Sequence, residues 1–167
     1  MGINKYKPHI LVLPEDDANR QILNGFLLNP ALNRSAIQIL PCVGGWKKVV
    51  DTFKDVHIYE MQKYPQRNIL LIIDFNDQEA MRLNHIRKQI PNQLISRVFV
   101  LGAVSGPERL KASLRRSFED IGKSLSQDCA DDTRVAWGHD LLKHNESELD
   151  RMIQFVRPFL FNQSITG

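Results

Sequence analysis

The stretch NILLIID, residues 68–74, decides the fold. Its apolar residues Ile69 to Ile73 run without a polar interruption. That is the pattern of a short strand covered on both faces, because a strand with one wet face alternates. Three further runs are rich in Ile, Leu and Val: HILVL (9–13), AIQIL (36–40) and RVFVLG (97–102). Segments with helical spacing lie between them. Ile22, Leu23, Phe26 and Leu27 share one helical face after the first run. Val49, Val50 and Phe53 follow the second, and Leu83, Ile86 and Ile90 the third. Leu110, Leu114, Phe118, Ile121 and Leu125 recur every three or four residues after the fourth, as in one long helix. Strand and helix in alternation predict an α/β class: a three-layer, Rossmann-like fold. Its mostly parallel sheet has four to five strands, with helices on both faces and right-handed crossovers.

The fifth strand, at an edge, is RVAW (134–137). Asn145, with Glu148 three residues on, predicts a capping box opening a last helix. Leu149, Met152, Ile153 and Val156 supply that helix's apolar face, and Pro158 ends it. The chain thus reads as a single domain over residues 1–167. Residues 126–167 form a C-terminal extension that ends in a docking helix, a surface for a protein partner or a second copy.

The 167 residues are enough for a proper core without staples. Hydrophobic residues make up 43% and charged residues 25%, which excludes a disordered or fibrous chain. No apolar run approaches a bilayer-spanning length, so no membrane partner is expected. MGINKYKPH at the start has no hydrophobic signal region, and Tyr6 stands where a myristoylation signal needs Ser or Thr. Cys42 and Cys129 lack metal-type spacing and read as free thiols in a reducing, cytoplasmic setting. A net charge of +3 permits contact with DNA or RNA without arguing for it.

In open α/β sheets, ligands sit outside the carboxyl ends of the strands. The polar clusters of this chain fall there. Glu15, Asp16 and Asp17 follow the first run in PEDDAN, and Gly44 and Gly45 follow the second in PCVGGWKKV. Asp74, Asn76 and Asp77 follow the third, and Ser105 and Glu108 the fourth. If the first and third strands are neighbours, Glu15 and Asp74 emerge side by side. Two or three carboxylates with room for water suit Mg²⁺ or Mn²⁺. The competing account makes Asp16 or Asp17 a helix cap and Asp74 a turn former.

The glycine pair allows close backbone approach, and amides at a helix start attract phosphate, with Lys47 adding charge. A tight turn needing positive φ explains the same two glycines. Trp46 is either packing or an exposed platform for a base. Arg109, Lys111, Arg115 and Arg116 make a basic side to one helix, and Arg82, Arg87 and Lys88 to another. Such faces are ordinarily solvated. His139 and His144 stand five apart, which is not the i, i+4 spacing of a helical ligand pair.

ILVLPEDDANRQIL (10–23) resembles the start of a response-regulator receiver domain, whose acidic residues would map to Asp16, Asp17 and Asp74. Receivers carry Ser or Thr after the fourth strand, where this chain has Gly102 and Ala103, and a Lys-Pro after the fifth, which is missing. The stretch KDVHIYEMQKYPQRN (54–68) is also longer than a receiver has there. A Glu after strand one, a Gly pair after strand two and an acidic cluster after strand three together resemble a TOPRIM domain. The similarity is to the compact type of OLD-family nucleases and related bacterial proteins, over roughly the first two-thirds of the chain. That resemblance implies Glu15 as catalytic acid or base. It implies a Mg²⁺ (or Mn²⁺) site at Glu15, Asp74, Asn76 and Asp77, and phosphate contacts at Gly44, Gly45 and Lys47. Asn76 stands where the family has its second Asp, so one charge is lost and Asp77 is the substitute.

The implied function is metal-dependent processing of a nucleic-acid phosphodiester, nuclease-like and possible in degenerate form, on DNA or RNA. The rival is a non-catalytic regulatory or protein-interaction module on the same Rossmann-like scaffold, docking through its last helix.

Overall fold

The structure, a computed structural model, describes residues 2–162; Met1 and residues 163–167, the end of the expected extension, lie outside it. Four parallel strands form the sheet: β1 (His9–Pro14), β2 (Ile37–Ile39), β3 (Arg67–Ile72) and β4 (Val98–Leu101). Their order is β2-β1-β3-β4. β1 and β3 are hydrogen-bonded neighbours over their whole length, with Leu11 opposite Ile69 and Pro14 opposite Ile72.

The continuous apolar runs follow from burial on both sides. Ile10, Val12, Leu70, Phe99 and Leu101 point into one core, and Leu11, Leu13, Ile69, Leu71, Val98 and Val100 into the other. The first core is closed by α1 (Asp17–Phe26), α5 (Pro107–Leu114), α6 (Phe118–Asp131), α7 (Glu146–Phe155) and the short α8 (Arg157–Leu160). The second is closed by α2 (Trp46–Thr52), α3 (Ile58–Lys63) and α4 (Glu79–Gln89). Each aliphatic side chain so buried contributes about 1.5–3 kcal/mol of transfer free energy.

Three expectations are corrected. RVAW is not a strand: residues 134–137 form turns, Val135 is exposed, and Trp137 is buried in the first core. Their backbone is held by a carboxylate, since the buried Asp128 accepts from the amides of Ala136 at 2.7 Å and Trp137 at 3.1 Å. The periodic run from Leu110 to Leu125 is two helices. Arg115 leaves α5 in the left-handed region (φ +53°), and the Ser117 hydroxyl caps α6 by accepting from the Asp120 amide. A good N-cap with acids in the first turn starts a new helix even where the hydrophobic period continues.

The long stretch before β3 is mostly helical, because α2 passes through a π-turn (Phe53–His57) straight into α3. Asn145 stands at the N-cap position of α7, but its side chain makes no capping hydrogen bond. Its side chain instead accepts from the Gly102 amide at 3.2 Å and donates to the Gly102 carbonyl at 2.9 Å, joining the end of β4 to the start of α7.

Residues 126–162 share the first core. Residue 126 lies inside α6, and Trp137, Leu142, Leu149 and Val156 are buried with the sheet residues. No helix among the described residues is long and apolar enough to cross a membrane.

Candidate functional site

From β1 the chain crosses to β2 on one side, whereas β3 continues to β4 on the other, so the topological switch lies between β1 and β3. Glu15 and Asp74 stand on its two lips. The Glu15 amide continues the ladder by donating to the Ile72 carbonyl at 2.9 Å. Its carboxylate Oε2 accepts the Asp74 backbone N–H at 2.6 Å. Glu15 and Asp74 are both half-buried.

Burial pushes both carboxyls above their ordinary values. For Glu15 the Asp74 N–H bond pulls back, while the charges of Asp74 and Asp16 push further up. For Asp74 the Asn76 amide bond pulls back, and Asp16 and Asp77 push up. Arg82 is the basic group that favours ionisation of both. Its guanidinium donates to the Asp74 carbonyl rather than to a carboxylate, and among the described residues no Lys or Arg forms an ion pair with Glu15 or Asp74.

The other acids have local tasks. Asp16 is the N-cap of α1, accepting from the Asn19 amide at 3.0 Å. Asp17 is exposed and binds Arg20 and Gln21, whose hydrogen bonds hold its carboxyl low. Asn76 (φ +45°) and Asp77 (φ +58°) form a left-handed turn that leaves both exposed. The Asn76 amide donates to Asp74 Oδ1 at 2.7 Å, and Asp77 Oδ1 accepts from the Ser105 hydroxyl at 2.6 Å. Among the described residues no group of three or more His, Cys, Asp or Glu side chains is arranged to hold a metal ion. Any cation here would have to be held by Glu15 and Asp74, a two-carboxylate set that would leave the remaining positions to water or substrate oxygen.

The glycine turn adjoins them. Gly44 (φ +89°) donates its amide to the Glu15 carbonyl at 2.8 Å, so that N–H is already used. Gly45 is the N-cap residue of α2. Lys47 lies 5.8 Å from the Trp46 ring centroid, and Arg82 lies over the same ring at 4.9 Å. Trp46 also meets the His85 ring edge-on at 5.4 Å. The tryptophan ring thus has two cations within cation–π range, each contact worth about 0.5–2 kcal/mol.

Two residues complete the site beyond the strand-end clusters. The sequence sets Arg82 with Arg87 and Lys88 on a solvated helix face, yet it is buried at 9% exposure. Its position on the first turn after Asp74, in a helix with weak amphipathicity, is the one signal available. Gly106 (φ +93°) is the other: a Cβ there would stand 2.7 Å from Asp74 Oδ2. The start of α5 therefore rests directly on the Asp74 carboxylate. His139 and His144 do not meet. His139 Nε2 faces the Ser113 hydroxyl at 3.1 Å, and His144 packs edge-on against Phe75.

No family model, no curated protein and no solved structure matches this chain.

Proposed function

We propose that this is a TOPRIM-like domain that uses Mg²⁺ or Mn²⁺ to process a nucleic-acid phosphodiester, with Glu15 and Asp74 holding the cation. The observation that carries this reading is the Glu15–Asp74 contact across the β1/β3 switch. Two half-buried carboxyl groups, both with raised affinity for protons and without an ion-paired base, form a place where positive charge is wanted. A bound divalent ion would polarise a phosphoryl oxygen and neutralise charge developing on it. Glu15, whose proton affinity burial raises above that of an ordinary carboxyl, would be the group that moves the proton. Arg82 fixes the Asp74 backbone, and Gly106 leaves room for its carboxylate. Gly45 and Lys47 border the same turn and would meet the phosphate.

The test is thermal melting with and without millimolar Mg²⁺ or Mn²⁺ for the native chain and Asp74→Ala, followed by cleavage assays on single- and double-stranded DNA and RNA. A cation-dependent rise in melting temperature, lost in the variant, supports the site. Cleavage lost in Glu15→Gln supports the chemistry.

One observation favours the second reading, a non-catalytic regulatory module. Asp77, the substitute for the second family Asp, is engaged by Ser105, so the acidic set is smaller than in a working centre of this type. That reading expects a melting temperature indifferent to either cation, and no cleavage.

A further inference from the structure

The base of the sheet, at the opposite end from Glu15 and Asp74, holds a histidine whose bonds fit only the neutral ring. His9, at the start of β1, is 1% exposed and stands opposite Arg67 in the β1–β3 pair. Its Nδ1 faces the Lys7 carbonyl at 2.8 Å, an oxygen that can only accept, so Nδ1 carries the proton. Its Nε2 is met at 3.0 Å by Arg67 Nε, a nitrogen that can only donate, so Nε2 is bare. A second proton on this ring would set N–H against N–H and cation against cation.

The surroundings give that second charge little relief. Arg67 is buried at 7% exposure, and among the described residues Glu60 of α3, 3.7 Å from its Nη1, is the one carboxylate paired with it. From the π-turn comes the buried His57, which burial and the Arg67 charge hold below its ordinary value, against the pull of Glu60. Arg97 donates to the Arg67 carbonyl at 2.8 Å and adds another positive charge. The Tyr64 ring, 5.0 Å from the Arg67 guanidinium, also draws in Lys5 and Lys63. Burial keeps the His9 imidazole below its ordinary value; the Lys7 carbonyl pulls the other way and Arg67 adds to the lowering.

The same contacts fasten the segment that precedes β1. Lys7 is held by the His9 ring, Lys5 lies over Tyr64, and Tyr6 meets Tyr64 edge-on at 6.2 Å. We propose that the His9–Arg67 bond is an acid-sensitive latch: the neutral ring pins residues 3–7 to the base of the sheet, and its protonation releases them. A histidine whose folded pKa lies below its unfolded value contributes fully above the ordinary histidine value, and that contribution is lost as pH falls below it.

The experiment is NMR of the full chain between about pH 8 and pH 5, following the histidine rings and the backbone amides. The expected result is a His9 ring in the Nδ1–H form that titrates below a histidine in an unfolded peptide. The amides of residues 3–7 should shift with the same midpoint, while those of Leu70 and Phe99 in the central strands stay in place. In His9→Gln, whose side-chain carbonyl can still accept from Arg67, the transition of residues 3–7 should vanish; in His57→Gln it should remain. An Nε2–H ring, a midpoint at or above the ordinary value, or amides of residues 3–7 that ignore the titration would each overturn the latch. So would a transition that persists in His9→Gln, or one in which Leu70 and Phe99 move together with residues 3–7. The ring measurements are made on the native chain, so they decide the matter even where His9→Gln does not fold.

Discussion

Glu15 on the β1 tip holds the backbone N–H of Asp74 on the β3 tip at 2.6 Å, tying together two acids that repel each other. Burial raises the proton affinity of both; the Asp74 charge raises that of Glu15 further, and Asp16 and Asp77 raise that of Asp74. A carboxyl group whose folded pKa lies above its unfolded value binds its proton more tightly in the native state. Its contribution to stability is full below the ordinary carboxylate range and is lost as pH rises through the raised values. Without a divalent cation, stability should therefore fall from acid toward neutral pH because of this pair. Asp74→Asn keeps the acceptor for the Asn76 amide and removes a charge. It should melt a few degrees above the native chain at neutral pH, with a flatter pH profile. Urea unfolding across pH for native, Asp74→Asn and Glu15→Gln checks this; steeper profiles in the variants would contradict it.

Asp128 tests the turn that replaced the expected edge strand. Its Oδ2 accepts the amides of Ala136 and Trp137, and its Oδ1 accepts the Thr133 hydroxyl at 2.7 Å. Asp128 is itself 3% exposed, and Asp128→Ala leaves the amides of the buried Trp137 and the half-buried Ala136 unmatched, whereas the exposed Thr133 can turn to water. With about 1–3 kcal/mol for each such amide left unmatched, the loss should be about 2 kcal/mol or more. Trp137, whose indole N–H reaches the Leu125 carbonyl, should report the loosening as a fluorescence change before global unfolding.

How far the sequence carried the fold is clearest at β3 and at RVAW. Ile69 to Ile73 could be buried on both faces only as a central strand, and periodicity makes that plain. RVAW has the composition of a strand, but its backbone partner is the Asp128 carboxylate eight residues back, a side-chain bond that hydrophobic periodicity does not encode. Asn145 shows the same limit. The spacing to Glu148 satisfies the capping rule, yet tertiary contact with Gly102 outbids the local bond. At the site, the acids at the strand ends were legible because topology places them together. Whether each carboxylate is free was not legible: that depends on Ser105 reaching Asp77 across the β4 turn, and on Arg82 turning inward onto Trp46.

The thiols make a simple check on the first core. Burial pushes the Cys129 thiol up to about 12, whereas Cys42 is exposed. The thiolate is the nucleophile, so Cys129 should be inert in the native state. A chromogenic disulfide reagent at neutral pH should titrate one thiol rapidly in native protein and two in denaturant. In Cys42→Ser the fast phase should vanish. A persistent fast phase in that variant would mean that the α6 core opens readily.

The backbones of α1 and α6 approach closely, and the approach depends on two glycines. A Cβ on Gly25 would stand 1.9 Å from the Glu119 carbonyl oxygen, and one on Gly122 would stand 1.8 Å from that of Ile22. Neither obstacle is a flexible side-chain end, so relief requires the helices to separate. Alanine favours a helix by nearly 1 kcal/mol over glycine, but overpacking of this kind costs about 1–3 kcal/mol and sometimes more. Gly25→Ala and Gly122→Ala should each therefore lose stability despite their better helix propensity. The double variant should lose less than the sum, because one separation of α1 from α6 relieves both contacts. Equilibrium denaturation of the four proteins measures this coupling, and strict additivity would place the two contacts in independent parts of the structure.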